Sequence, residues 1–170
     1  MTYRGRRQCP QLCAHTGAIP VRVGEYEVRA AGVMYPNWCN SPRTVFVPLL
    51  EEGHSLNSSY YGNREVVALP LVDFGGVPDN WRALLEEWIV PRLKAGDDLF
   101  AFCVGSHGRT GTFLASLIAL LEPPEVTPDP IAAVRGRHCV KAVETQEQAE
   151  AIFALRGQAV PRPYVTAFVW

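Results

Sequence analysis

The amino-acid sequence predicts a single α/β domain, a central mixed β-sheet flanked by helices. Three observations predict it. Strand-length apolar runs dominate the first part of the chain, and strand then alternates with helix. One apolar run, Asp98 to Val104, passes through a glycine-containing loop directly into an apolar helix. The 170 residues, 48% apolar and 19% charged, suit one domain with its own core. No shift in composition divides residues 1–170. Residues 1–15 carry Arg4, Arg6 and Arg7 and read as a flexible basic arm; residues 159–170 form an apolar tail.

Ala18 to Ala31 reads as two short strands around Gly24-Glu25, a hairpin. Thr44 to Leu49 is a further β-rich run. Glu51 to Asn63 is a polar loop. Glu65 to Asp73, apolar and β-branched, reads as a buried strand that leaves Asp73 at its end. Asp79 is the expected N-cap of the next helix. Trp81, Leu84, Leu85, Trp88, Ile89 and Leu93 recur at helical spacing and define its buried face, with a kink at Pro91 and a stop at Gly96. Asp98 to Val104 is the central strand. Thr110 to Leu121 is a helix closed by Pro123-Pro124, and Thr127-Pro128 caps another that runs to about His138. Thr145 opens the last helix, which ends at Gly157. Tyr164 to Trp170 reads as an extra strand or an oligomer contact.

The formal net charge of -1 gives no sign of a nucleic-acid or membrane-surface partner. No apolar segment follows the basic arm as in a signal peptide, and Phe113 to Leu121 is too short to span a bilayer. A cytoplasmic location is expected. The cysteines, Cys9, Cys13, Cys39, Cys103 and Cys139, are odd in number and irregular in spacing, which favours reduced thiols. Cys9, Cys13, His15 and Cys39 contain one zinc-like pair but lack a second, so neither metal nor cofactor is expected. Cys139 reads as a small buried group, with a second redox thiol as the alternative.

The chemistry concentrates in Cys103-Val104-Gly105-Ser106-His107-Gly108-Arg109-Thr110. The strand delivers Cys103 to the sheet edge. Glycines let the loop turn its N–H groups inward, and such a nest at a helix N-terminus attracts an anion, phosphate above all. The same field favours a thiolate nucleophile. Arg109 offers a planar fork for two phosphate oxygens, and Thr110 a hydroxyl for the sulfur. Val104, Gly105, Ser106, His107, Gly108 and Arg109 are therefore the expected substrate-binding residues.

Cys-x5-Arg-Thr, entering a helix through Gly-Arg-Thr-Gly-Thr, resembles the active-site loop of the cysteine-dependent protein tyrosine phosphatase and dual-specificity phosphatase superfamily. The resemblance covers roughly Glu65 to Ile152 and implies that family's fold. It also implies an acid on a loop about thirty residues before the cysteine. Asp73, in Leu71-Val72-Asp73-Phe74-Gly75-Gly76-Val77-Pro78, stands there, with a plain turn residue as the alternative. Asp79 is the rival acid. Glu144-Thr145-Gln146-Glu147-Gln148 is similar to the family's Gln-Thr-x-x-Gln segment, whose role is to position water; Gln148 matches its second glutamine, and Thr145 to Gln148 is equally a capping box. The chain departs from the family at Leu71-Val72 for Trp-Pro, at Phe102 for histidine, at Ser106 for glycine and at Glu144 for glutamine.

The implied reaction is metal-independent phosphomonoester hydrolysis through a phosphocysteine. Cys103 is the nucleophile, Arg109 the clamp, Asp73 the acid that protonates the leaving oxygen and then, as a carboxylate, activates water, Thr110 the thiolate partner and Gln148 the water helper. Without lysine in the loop, a phosphorylated protein, phosphotyrosine or dual specificity, is favoured as substrate. The alternatives are a phosphate-binding module without turnover, or a phosphatase for a phosphoinositide or an RNA 5′-phosphate. His107 reads either as a solvent-facing loop residue or as a tuner of the thiolate. Tyr60 and Tyr61 read as surface-loop residues, with an aromatic wall for a phosphotyrosine ring as the alternative.

Overall fold

The computed structural model describes residues 19–32, 43–51 and 60–166. Cys9, Cys13, His15 and Cys39, and the expected basic arm, lie outside them. Four strands form one mixed sheet in the order β1-β2-β4-β3. β1 (Ile19–Val23) and β2 (Tyr26–Gly32) are the expected antiparallel hairpin, turned at Gly24 with φ +63°. β3 (Thr44–Pro48) and β2 each flank β4 (Asp98–Cys103) in parallel. All three parallel strands therefore end on one edge, where Gly32 and Cys103 are partners. Crevices at the carboxyl ends of parallel strands are where open α/β sheets bind ligands.

The segment expected as a buried strand at Glu65 to Asp73 is an edge. It forms one parallel bridge, Phe46 with Val66, and the Val67 and Leu69 N–H groups donate to Phe46 and Pro48 carbonyls at 2.8 and 3.0 Å. Val67, Leu69 and Leu71 are buried while Val66, Ala68 and Pro70 are exposed. Pro70 has no N–H to continue the ladder.

The next helix starts one residue later than expected. Asn80, not Asp79, is its N-cap, and it makes no side-chain cap bond. α1 (Trp81–Leu84) widens into a π-helical turn at Leu85–Ile89 before α2 (Val90–Ala95). The Val90 N–H donates five residues back, to the Leu85 carbonyl. Pro91 has no N–H for an α-helical bond, so the wide turn accommodates it instead of a kink. The extra residue per turn also rotates Trp88 off the expected face: it is 53% exposed, while Trp81, Leu85, Ile89 and Leu93 are buried. Gly96, at φ +79°, ends α2.

α3 (Gly108–Leu121) is buried on nearly every side, which is why its sequence is apolar all round. It lies against β1, β2, β4 and two later helices. Ser116 within it accepts the indole N–H of Trp81 at 3.0 Å. α4 (Pro130–Arg137) is capped by Asp129 rather than Thr127-Pro128; its carboxylate takes the Ile131 and Ala132 N–H groups at 2.9 Å. Thr127 instead donates to Glu122. α5 (Gln146–Ala154) is capped by Thr145 as expected, and Gly157 follows with φ +64°. The start of the apolar tail is not a strand but a helical turn, α6 (Pro163–Thr166), in which the Tyr164 hydroxyl donates to Asp129 at 2.7 Å. Its remainder lies outside the described residues.

The main core lies between α1–α6 and one face of the sheet. The other face carries Ala31, Phe46, Leu50, Phe100 and Phe102, covered by Tyr60 and Tyr61. Tyr61 stands edge-on to Phe46 at 5.4 Å, and Tyr60 tilts against Phe102 at 6.3 Å. The tyrosines are thus half-buried packing groups, not loose surface residues. No helix among the described residues is long and apolar enough to cross a membrane.

Candidate active site

Cys103 is the last residue of β4 and is 2% exposed. Side chains alternate along a strand, so Phe102 enters the aromatic cluster on the opposite face. That accounts for an apolar residue where the resemblance has histidine. The loop from Val104 to His107 then folds over the sulfur, and the Ser106 N–H donates to Cys103 Sγ at 3.2 Å. Ser106 reaches this geometry at φ +60°. His138, fully buried just past α4, holds it there: its Nε2 lies 2.7 Å from the Ser106 carbonyl oxygen and 3.3 Å from Ser106 Oγ. A carbonyl only accepts, so Nε2 carries the proton. His138 carried no role beyond a helix end in the sequence, because no motif surrounds it.

Arg109 and Thr110 sit in the first turn of α3, both buried. Arg109 Nη2 is 3.1 Å from Asp73 Oδ1. Arg109 Nε and Thr110 Oγ1 are buried without a hydrogen-bond partner. Buried polar atoms are rarely left so, and two adjacent ones at a helix N-terminus suit an anion or a thiolate.

Asp73 is half-exposed, and its N–H donates to the Glu51 carboxylate at 2.6 Å. Val72 and Phe74 on either side are 64% and 61% exposed, and Val104 of the loop is 54% exposed. The rival Asp79 is exposed, outside this constellation of contacts. Asp98 is bound to Arg29 and Thr44 at the opposite end of β4.

Gln148 is 1% exposed. Its Oε1 accepts the Glu144 N–H at 2.8 Å, while its own N–H donates to Thr145 Oγ1 at 3.2 Å. It is a capping residue, and its amide also faces Gly108 of the loop. The neighbouring Glu144 carboxylate lies against Gly108 of the loop and 3.9 Å from His107 Nδ1. His107 is therefore mostly enclosed rather than solvent-facing. Burial first, and then the negative charge of Asp73, raise the Glu144 carboxyl above its ordinary range, against the opposing Gly108 N–H, Arg109 and Lys141. In the sequence Glu144 stands out only as a departure from glutamine, and its charge is the signal that marks it. Cys139 is buried with its sulfur accepting the Lys141 N–H at 3.4 Å.

Among the described residues, the non-glycine positions with positive φ are Phe74, Ser106 and Val143. Each adjoins a site group: Asp73, Cys103's loop and Glu144. Strained backbone of this kind persists where the surrounding structure enforces it, and it clusters at functional sites. The assembled set joins a sulfur, the Ser106 N–H, a guanidinium and two carboxyls, groups that can bind a phosphate and exchange protons around it.

No protein-family model matches the chain. Two uncharacterized proteins of Methanocaldococcus jannaschii, MJ0215 and MJECL20, are each 35% identical over 82 residues, 48% of this chain. The match spans about half the length of these curated relatives, 49% and 53%. Among solved structures, Tk-PTP in its active form superposes with a TM-score of 0.65 at 20% identity, over 82% of this chain and 97% of that one. Kinase associated phosphatase, with its catalytic cysteine substituted by serine, gives 0.64 at 14% identity, over 84% and 95%. The fold is that of the protein tyrosine phosphatases.

Proposed function

We propose that this protein is a cysteine-dependent phosphatase that hydrolyses phosphomonoesters, phosphotyrosine in proteins foremost, through a phosphocysteine. One observation carries the reading: Cys103 Sγ accepts a loop N–H at 3.2 Å, beside an Arg109 that is itself 3.1 Å from the Asp73 carboxylate. In the first step the Cys103 thiolate attacks phosphorus in line, and the loop N–H groups and Arg109 hold the equatorial oxygens. Asp73 protonates the leaving oxygen. Water, giving one proton to the Asp73 carboxylate, then attacks phosphorus, the S–P bond breaks with its electron pair left on sulfur, and the Thr110 hydroxyl stabilises the departing thiolate. Gln148, as a neighbour of the loop, helps to order the water. The exposed apolar Val72, Phe74 and Val104 support an aryl rather than a sugar leaving group. A nucleophilic thiol suits a reducing compartment, the cytoplasm.

The test is hydrolysis of para-nitrophenyl phosphate in the presence of EDTA, with Cys103→Ser as control. Activity in EDTA that disappears in the variant supports the proposal. Activity that survives Cys103→Ser overturns it. Phosphate binding without any turnover in the parent protein favours a binding module instead.

A further inference from the structure

At the end of the sheet away from Cys103, the β1–β2 turn and the C-terminus of α3 border an open cavity of about 600 Å³. That volume is in the range of small-molecule sites. Arg22, Lys94 and Arg137 line it, together with Glu25 and Glu122. The negative groups at its base are already satisfied. Glu122 takes two nitrogens of Arg137, the Thr127 hydroxyl and the Gly24 N–H. The carbonyl end of α3 would itself repel an anion, but Arg156 donates to the Ile118, Ala119 and Glu122 carbonyls there at 3.3, 3.0 and 2.8 Å. Two of the cations are not satisfied in this way. Arg22 and Lys94 are exposed, and among the described residues neither pairs with a carboxylate; the Arg22 Nε donates only to the Gly24 carbonyl, at 3.1 Å. Beside them Val126 is 74% exposed, the most exposed large apolar side chain among the described residues, and Leu121 and Pro123 extend its wall.

We propose that this cavity is a second ligand site, and that it takes a small organic anion: one acidic group, a phosphate, sulfonate or carboxylate, on an apolar body. Arg22 and Lys94 meet the acidic group, and the apolar body lies on Val126, Leu121 and Pro123. Uncompensated positive charge beside an apolar wall selects for both parts at once. An inorganic anion gains nothing from the wall, and a neutral apolar molecule gains nothing from the cations. The site is separate from the phosphate loop. α3 begins at Gly108, within that loop, and its other end, 14 residues on, borders the cavity, about 20 Å away at about 1.5 Å per residue. The proposal therefore goes beyond the phosphatase reading and does not depend on it.

The probe is 8-anilinonaphthalene-1-sulfonate, an aromatic anion with no phosphate ester to hydrolyse. It is titrated by fluorescence into the full chain at low ionic strength, with inorganic tungstate present to occupy the phosphate loop. Saturable binding is expected, and N-phenyl-1-naphthylamine, the same body without the sulfonate, should bind about tenfold more weakly. Arg22→Gln combined with Lys94→Gln should weaken the sulfonate about tenfold and leave the neutral analogue unchanged, whereas Val126→Asp should weaken both. All three positions are exposed, so the variants should melt with the parent, which separates loss of the site from loss of the fold. Sulfonate binding within about twofold of the parent in either variant, or no saturable binding below about 1 mM, would overturn the proposal. Neither result bears on the phosphatase reading, which turnover of para-nitrophenyl phosphate tests on its own.

Discussion

His138 Nε2 lies 2.7 Å from the carbonyl oxygen of Ser106, across a separation of 32 residues. This bond ties the end of α4 to the loop over Cys103, and it offsets the left-handed backbone at Ser106. Removing the imidazole leaves a buried carbonyl without its donor and opens a cavity. His138→Ala should cost about 2–3 kcal/mol in urea unfolding, whereas His138→Gln, which keeps an N–H donor, should cost less. An alanine variant within about 0.5 kcal/mol of the parent would show that the bond holds nothing.

Ser106 combines an unfavourable φ with a useful hydroxyl, so two substitutions part the terms. Ser106→Gly relieves the strain but loses the Oγ contact with His138, and the two effects, each about 1 kcal/mol, should nearly cancel. Ser106→Ala keeps the strain and loses the contact, and should be the less stable by about 1 kcal/mol. Thermal unfolding of the pair checks the order.

Glu122 fastens α3 to the β1–β2 turn. It takes two nitrogens of Arg137, the Thr127 hydroxyl and the Gly24 N–H. Burial raises its carboxyl, but Arg137, Thr127 and Gly24 outweigh that and pull it down to about 2. A depressed carboxyl stabilises the fold above its ordinary pKa, and the gain disappears as pH falls from about 4.5 through about 2. Glu122→Gln should therefore cost about 3 kcal/mol at pH 7 and little near pH 2. A penalty that does not change with pH would contradict the charge-based account.

Glu144 has the opposite sign. Its raised carboxyl favours the protonated form in the folded state, so the fold is relatively stabilised at low pH and loses that as pH rises through the shifted value. Glu144→Gln should melt higher than the parent at pH 7, with the gap closing toward pH 4. A variant that melts lower at pH 7 would mean that Gly108, Arg109 and Lys141 outweigh burial.

Asp73 is the proposed proton donor to the leaving oxygen. Asp73→Asn should lower kcat for para-nitrophenyl phosphate by about 10²–10⁴-fold and flatten the alkaline limb of the pH profile, where the parent loses its proton donor. An unchanged profile would move the acid role to another group.

Much of the fold was legible because its determinants are local. The apolar run ending at Cys103, the glycines after it and the apolar helix beyond Arg109 are contiguous, and strand, loop and helix follow from the period of the pattern. The Gly24 hairpin and the Thr145 cap are read from a few neighbouring residues in the same way. The errors fall where a local signal had a close competitor. Asp129, followed by Pro130, outcompetes Thr127-Pro128 as a cap, and the π-helical turn before Pro91 rotates Trp88 outward.

By itself, then, the sequence determined the loop, its residues and the central strand that presents it, because backbone preference and side-chain period act over a few residues. Only the tertiary structure decided which distant groups meet that loop. It set Asp73 against Arg109, aimed Glu144 at Gly108 through a strained Val143, and seated His138 beneath Ser106. Those meetings depend on how helices and edge segments pack on the sheet, and no short-range pattern encodes the distance between residues that are remote in the chain.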